Sequence, residues 1–241
     1  VNFEKCPQLL DKSLREALYW ALDRQAVVDK VFRGAGSVGS AGYVPPSSPY
    51  YAPGCVQYPY QPGKAKALLE PLGLNLTMLC ADSGDDLAIA ELLANDLRAA
   101  GVAVTVQAYD SATRDQMVNA GDYELALVSN GGWGNNPPDY LRTVFSDTAK
   151  NKGGNPHNMG PIGYENAAIT ALADAQKAET DPDRRKELLA ELQVEISREI
   201  PLVVVATRSS YSMYRKDVYD GWMKTYAYQQ AEQNRLSYML R

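Results

Sequence analysis

The chain has 241 residues, enough for one large domain or a domain with an appendage. Apolar residues at 45% and charged residues at 22% sit near globular averages. The formal charge of −5 argues against nucleic acid or an anionic membrane as the main partner, and no apolar run of about 18 residues appears that could cross a bilayer.

Asp11 to Phe32 reads as a two-part helix, with Leu14, Leu18, Ala21 and Leu22 on one face and a joint at Asp23-Arg24. Gly34-Ala35-Gly36 ends its second part. From Gly34 to Gly63 the chain is rich in Gly, Pro, Ser and Tyr. Its aromatic residues (Tyr43, Tyr50, Tyr51, Tyr58, Tyr60) argue against disorder and predict a long tyrosine-rich loop, draped over the surface and pinned by its rings.

The clearest architecture follows. Leu74–Ala81 reads as a strand. Asp85–Ala100 reads as a helix with Ala90, Leu93, Ala94 and Leu97 on one face and Ser83 placed to cap it. Val102–Tyr109 alternates as a strand, Ser111–Ala120 is a short helix, and Tyr123–Ser129 is a third strand. Strand, helix, strand, helix, strand predicts a parallel βαβαβ core of α/β class with right-handed crossovers. In such sheets ligands collect beyond the carboxyl ends of the strands, here Asp82-Ser83-Gly84, Asp110-Ser111 and Asn130-Gly131-Gly132-Trp133. Asp181-Pro182 then opens a helix carrying Leu189, Leu192, Ile196 and Ile200, and Pro201 ends it. Leu202–Ala206 reads as a buried strand, and the aromatic, polar tail after Tyr211 closes with a candidate strand at Leu236–Leu240.

The loop 130–140 carries the most chemistry. Gly131, Gly132 and Gly134 allow close backbone approach, Trp133 offers a stacking surface, and Asn135 and Asn136 offer donors and acceptors. The blander alternative is an ordinary turn before a helix starting near Pro138. These glycines do not open a helix directly after the first strand, so they are no dinucleotide fingerprint. Enzyme readings are poorly supported. His157 is the single histidine, in a Gly- and Asn-rich stretch, and no Gly-x-Ser-x-Gly elbow is present. No His or Cys cluster suits a metal, and no cofactor is expected. Asp85-Asp86 and Asp181/Asp183 sit at helix starts, where they complement the helix dipole. Cys6, Cys55 and Cys80 allow at most one internal disulfide, with the pairing left open.

Several stretches resemble the family 5 extracellular solute-binding proteins, the peptide/nickel type. The first is LREALYWALDRQAVVDKVFRGAGSVGSAGYVPPSSPYY, with its Ala-x-Asp-Arg step and Pro-x-Ser-x-x-Tyr loop. In order come the unit ending Ala-Ala-Gly-Val, the Gly-Trp…Pro-Asp-Tyr-Leu loop, Asp-Pro-Asp-Arg-Arg-Lys with its helix and Ile-Pro-Leu, and Tyr-Arg-Lys-Asp-Val-Tyr-Asp-Gly-Trp. The resemblance implies a C-terminal lobe fragment of a periplasmic-binding-protein-like fold. Residues 1–205 would form the second lobe and 206–241 a segment returning to a missing first lobe. It also implies capture of a small solute (peptide, metal chelate or other polar molecule) between two lobes that close by hinge motion. Delivery would be to the membrane subunits of an ABC importer, in the periplasm or at the outer face of the cell membrane, with a lipid anchor an open option. The candidate ligand contacts are Tyr43, Asp82, Ser83, Gly131, Gly132, Trp133, Asn135, Asn136 and Asp139. One departure stands out. The family's dipeptide binders hold the ligand's amino group with an Asp after the Gly-Trp pair and its carboxylate with an Arg at the end of the first strand. The motif alignment places Gly134 and Cys80 at those positions. The rival readings are a hydrolase using His157 and a non-transport lobe that binds a protein partner through its tyrosines.

Overall fold

The computed structural model describes residues 1–129, 137–147, 161–209, 213 and 215–218. The expected two-part helix is present as α1 (Lys12–Ala21), capped by the Asp11 carboxylate on the Ser13 amide, and α2 (Arg24–Ala26), which runs into a π turn at Val27–Val31. A short strand β1 (Gly36–Val38) and helix α3 (Pro62–Leu69) precede the sheet.

The sheet consists of β2 (Asn75–Ala81), β3 (Ala103–Tyr109) and β4 (Leu125–Ala126), all parallel, with β2 in the centre. β2 is buried from Met78 to Ala81 because both its faces are covered. Leu76, Met78 and Cys80 join a core with Ile89, Leu93 and Leu97 of α4 (Gly84–Ala99), while Leu79 packs with Val118 of α5 (Ser111–Ala120) and with Tyr123. β3 is an edge strand and shows the alternation of one: Val102 and Val104 are buried, Ala103 and Thr105 exposed. Arg98 of α4 covers part of that edge, donating from Nε and Nη2 to the Val104 carbonyl at 3.0 and 2.8 Å.

The third strand is much shorter than Tyr123–Ser129. The Glu124 carboxylate takes both the Thr77 amide (2.5 Å) and the Thr77 hydroxyl (2.9 Å), so β2 is paired by a side chain where an earlier ladder rung would lie. The Glu124 carbonyl accepts from the Asn2 amide instead. At the other end Leu127 gives its N–H to Leu79, but its carbonyl accepts from Arg114.

The second half builds another core. Helices α6 (Pro137–Phe145), α7 (Ala167–Ala178) and α8 (Pro182–Glu199) bury Leu141, Val144, Phe145, Ile169, Leu189, Leu192 and Ile196 together with Tyr43 and Val44. Asp181 caps α8 as expected, accepting from the amides of Asp183 and Arg184. Helix α8 stops at Glu199, two residues before Pro201, with Ile200 held at φ 41°.

Three expectations differ from the structure here. The tyrosine-rich loop runs only partly over the surface: Gly39 through Pro45 are buried, whereas Pro46, Ser47, Pro49, Tyr50 and Tyr60 are exposed. Helix α8 fastens the stretch that follows, from Tyr50 to Val56. Gln193 accepts from the Ala52 amide (3.0 Å) and donates to the Tyr50 carbonyl (2.7 Å), and Ser197 accepts from the Val56 amide (2.9 Å). Nor do Leu202–Val205 form a strand; β5 is Ala206–Arg208, antiparallel to β1. Buried side chains occupy the backbone before it. The Tyr19 hydroxyl donates to the Leu202 carbonyl and accepts from the Val204 amide, and Arg24 donates to the Val204 carbonyl. Ser83, finally, stands at the N-cap of α4 but makes no side-chain capping bond; Asp85 and Asp86 meet the helix dipole in the first turn.

Candidate functional site

The three strands end on one edge of the sheet. The Asp82 amide donates to the Tyr109 carbonyl at 2.7 Å, which ties the exits of β2 and β3 together and fixes where the following loops begin. Asp82 and Ser83 are exposed at this edge, as is the ring of Tyr109 at 37%. Asp110 caps α5: one carboxylate oxygen accepts from the Ala112 and Thr113 amides and the other from the Thr113 hydroxyl. Those bonds, the Thr113 hydroxyl first, hold its carboxyl below the usual range, so the group stays anionic at neutral pH.

Two cations reach the same edge. Arg208, on β5, pairs with Asp85 in the first turn of α4 and lies over the Phe32 ring. Arg114, one turn into α5, is buried and donates to Asp115 and to the carbonyl of Leu127, where β4 leaves the sheet. Beneath them Cys80 is fully buried, and burial, then the Asp86 charge, push its thiol above the ordinary value. A thiol so raised is a poor nucleophile. Cys6 and Cys55 are likewise buried and free, so no disulfide joins any pair of the three.

The structure separates the candidate contacts. Asp82 and Ser83 lie at the carboxyl edge. Tyr43 belongs to the second core, its ring packed edge-on against Phe145 at 5.2 Å, with a backbone φ of 77°. Asp139 sits in α6 and pairs with Lys177 of α7. Gly131, Gly132, Trp133, Gly134, Asn135, Asn136 and His157 lie outside the described residues. Among the described residues no cluster of three or more His, Cys, Asp or Glu could hold a metal ion. Sequence reasoning missed Arg114 and Arg208. A signal existed for Arg114: it stands four residues before Val118, on the face of α5 that packs inward.

The family model for bacterial extracellular solute-binding proteins, family 5 (middle), matches residues 2–152. The chain belongs to this family. Among curated family 5 relatives, the di/tripeptide-binding protein 1 of Pseudomonas aeruginosa is 27% identical over 216 residues, which is 86% of this chain and 39% of that protein. The dipeptide-binding protein of Escherichia coli is 26% identical over 226 residues, 90% of this chain and 41% of that one. The chain thus spans about two fifths of the length of these relatives. The same fold appears in the ABC transporter-associated periplasmic binding protein DppA of Helicobacter pylori, solved with the peptide STSA, at a TM-score of 0.74 and 20% identity over 86% of this chain and 40% of that one. HbpA2 from Haemophilus parasuis matches with a TM-score of 0.74 at 23% identity, over 86% and 41%. Among the described residues no helix is long and apolar enough to cross a membrane.

Proposed function

We propose that this chain forms the second, C-terminal ligand-binding lobe of an extracytoplasmic solute-binding protein, with residues 1–205 as the lobe and 206–241 returning toward a first lobe. It captures a small polar solute, peptide-like or otherwise, and the whole protein hands that solute to the membrane subunits of an ABC importer without altering it. The carrying observation is the shared edge of the parallel strands within a family 5 match. Asp82, Tyr109, Asp110, Arg114 and Arg208 meet there, on the side of an open α/β sheet where ligands collect. The loop 130–136 follows β4 in sequence, and its Trp133, Asn135 and Asn136 belong to this proposal. Short peptides are the first solute class to test, since the relatives above are named for di- and tripeptides.

The experiment is a thermal-shift screen of the chain against short peptides, nickel chelates and oligosaccharides, with the solute recovered afterwards and weighed by mass spectrometry. One class should raise the melting temperature in a concentration-dependent way, because a ligand that binds the native state stabilises it by mass action. That solute should come back unchanged. Conversion of the solute, or no response from any class, contradicts the reading.

A further inference from the structure

We propose that the guanidinium of Arg114 is an anion anchor, gripping a carboxylate of the solute at the carboxyl edge of β2 and β4. The proposal rests on the solute-binding reading and names the chemical class of its ligand. Three arginines in the described residues are at least nine-tenths buried, and they differ in how their donors are used. Arg15 is saturated: Nε, Nη1 and Nη2 reach the Glu199 carbonyl, the Leu9 and Leu10 carbonyls and the Glu199 carboxylate. Arg24 spends both terminal nitrogens on the carbonyls of Gly39, Val204 and Tyr58. Both are fastened to the interior.

Arg114 is different. It is 6% exposed, yet it makes two bonds, from Nε to Asp115 at 2.8 Å and from Nη1 to the Leu127 carbonyl at 3.1 Å. Nη2 has no acceptor among the described residues. A guanidinium carries five N–H donors and keeps its charge at any relevant pH, so the unused Nη2 end can donate to an incoming acceptor. The two bonds it does make hold it rigidly: one along α5, the other at the point where β4 leaves the sheet. That is the edge at which Asp82 and Tyr109 also end their strands. The carboxylates at this edge leave Nη2 unfilled: Asp82 and Asp86, which with Arg114 surround Cys80, make no bond to it. Asp115 takes Nε, Asp110 is spent on the first amides of α5, and Asp85 holds Arg208. A planar carboxylate matches the remaining fork, and charge-assisted bonds to it are roughly twice as strong as neutral ones.

The test changes the ligand, so that it needs no variant to fold. Dialanine, trialanine and succinate are each titrated against the corresponding carboxamide by two-dimensional NMR of the chain, with the Arg114 Nε resonance assigned. The acids should bind at least about tenfold more tightly than their amides and should shift the Arg114 Nε signal together with the amides of Leu127 and Val128. In Arg114→Gln the preference for the acid should collapse to about twofold or less. Acid and amide binding equally in the wild-type chain, or an acid preference that survives Arg114→Gln, overturns the anchor while leaving solute binding intact. No response at the edge from any acid or amide overturns the anchor; the binding reading falls with it only if the thermal-shift screen of all solute classes is silent as well.

Discussion

The Arg24 guanidinium lies 4.8 Å from the centre of the Tyr19 ring, and both side chains hold the same stretch of backbone. Tyr19 takes the Leu202 carbonyl and the Val204 amide, and Arg24 takes the carbonyls of Val204, Gly39 and Tyr58. The pair joins the start of the chain to the segment that leads into β5, 180 residues away. Burial lowers the Arg24 pKa from its ordinary value, yet an arginine keeps its charge at any relevant pH. Replacing it strands three carbonyls at once. Arg24→Met is expected to destabilise the fold by about 3 kcal/mol or more, since each buried unsatisfied group costs about 1–3 kcal/mol. Arg24→Lys should recover less than half of that, because an ammonium on a flexible stem cannot span the three acceptors. Urea unfolding measures both; a loss below about 0.5 kcal/mol for Arg24→Met would refute the clamp.

Glu124 sets the length of β4. With its carboxylate bonded to the amide and hydroxyl of Thr77, Glu124→Ala leaves a partly buried amide without an acceptor. A loss of about 1.5–3 kcal/mol is expected, the range for a hydrogen bond to a charged group. Hydrogen exchange at Thr77 should accelerate far more than at Thr105, which lies on the β2–β3 side of the sheet. Equal acceleration at both would mean that the whole sheet opens and that the local account is wrong.

Two glycines with left-handed backbones separate strain from collision. Gly34, at φ 80°, has nothing within 4 Å of where a Cβ would stand, whereas at Gly101, φ 86°, a Cβ would come within 2.7 Å of the Glu70 Cα. Gly34→Ala should cost about 1 kcal/mol from backbone strain alone. Gly101→Ala should cost at least about twice that, since the backbone of Glu70 has to move. Paired melting curves decide it, and equal costs would contradict the packing at Gly101.

Alkaline pH should weaken the fold. Burial, aided by the charges of Glu16, Tyr19 and Glu199, pushes Tyr58 up to about 12, and burial alone takes Tyr123 to about 12. An unfolded tyrosine ionises near 10. The folded state therefore holds these protons longer, and the stability they confer is complete below about pH 10 and lost as pH rises toward 12. Urea midpoints should be flat from neutral pH to about 9 and fall steeply above 10, and Tyr123→Phe should make that fall shallower. A midpoint that holds through about pH 11.5 would show that both phenols ionise normally in the folded chain.

The sequence displayed what its own neighbours decide. The alternation in β3, the apolar run of β2 and the Asp181-Pro182 start of α8 are local signals, and each element lies within a residue or two of its expected place. What stayed hidden was decided by side chains that take over backbone bonds from far away. Glu124 shortens β4, Tyr19 and Arg24 dissolve the strand expected at Leu202–Ala206, and Gln193 with Ser197 draws the tyrosine-rich loop inward. The candidate site divided along the same line. Asp82 and Ser83 follow directly from β2 and fall at the edge. Tyr43 belongs to the second core, where its ring meets Phe145 about a hundred positions later in the chain. Arg114 carried an inward-facing position that a reading by residue type passes over.

The most direct test of the central claim, that solute is held at the carboxyl edge of the parallel sheet, is a map of amide shifts when dialanine is titrated into the isotope-labelled chain. The account expects perturbations concentrated at 81–84, 109–114 and 127–136, saturating together, with the amides of Leu189, Leu192 and Ile196 in the second core unmoved. Shifts centred on Tyr43, Phe145 and α8, with the strand ends silent, would contradict it.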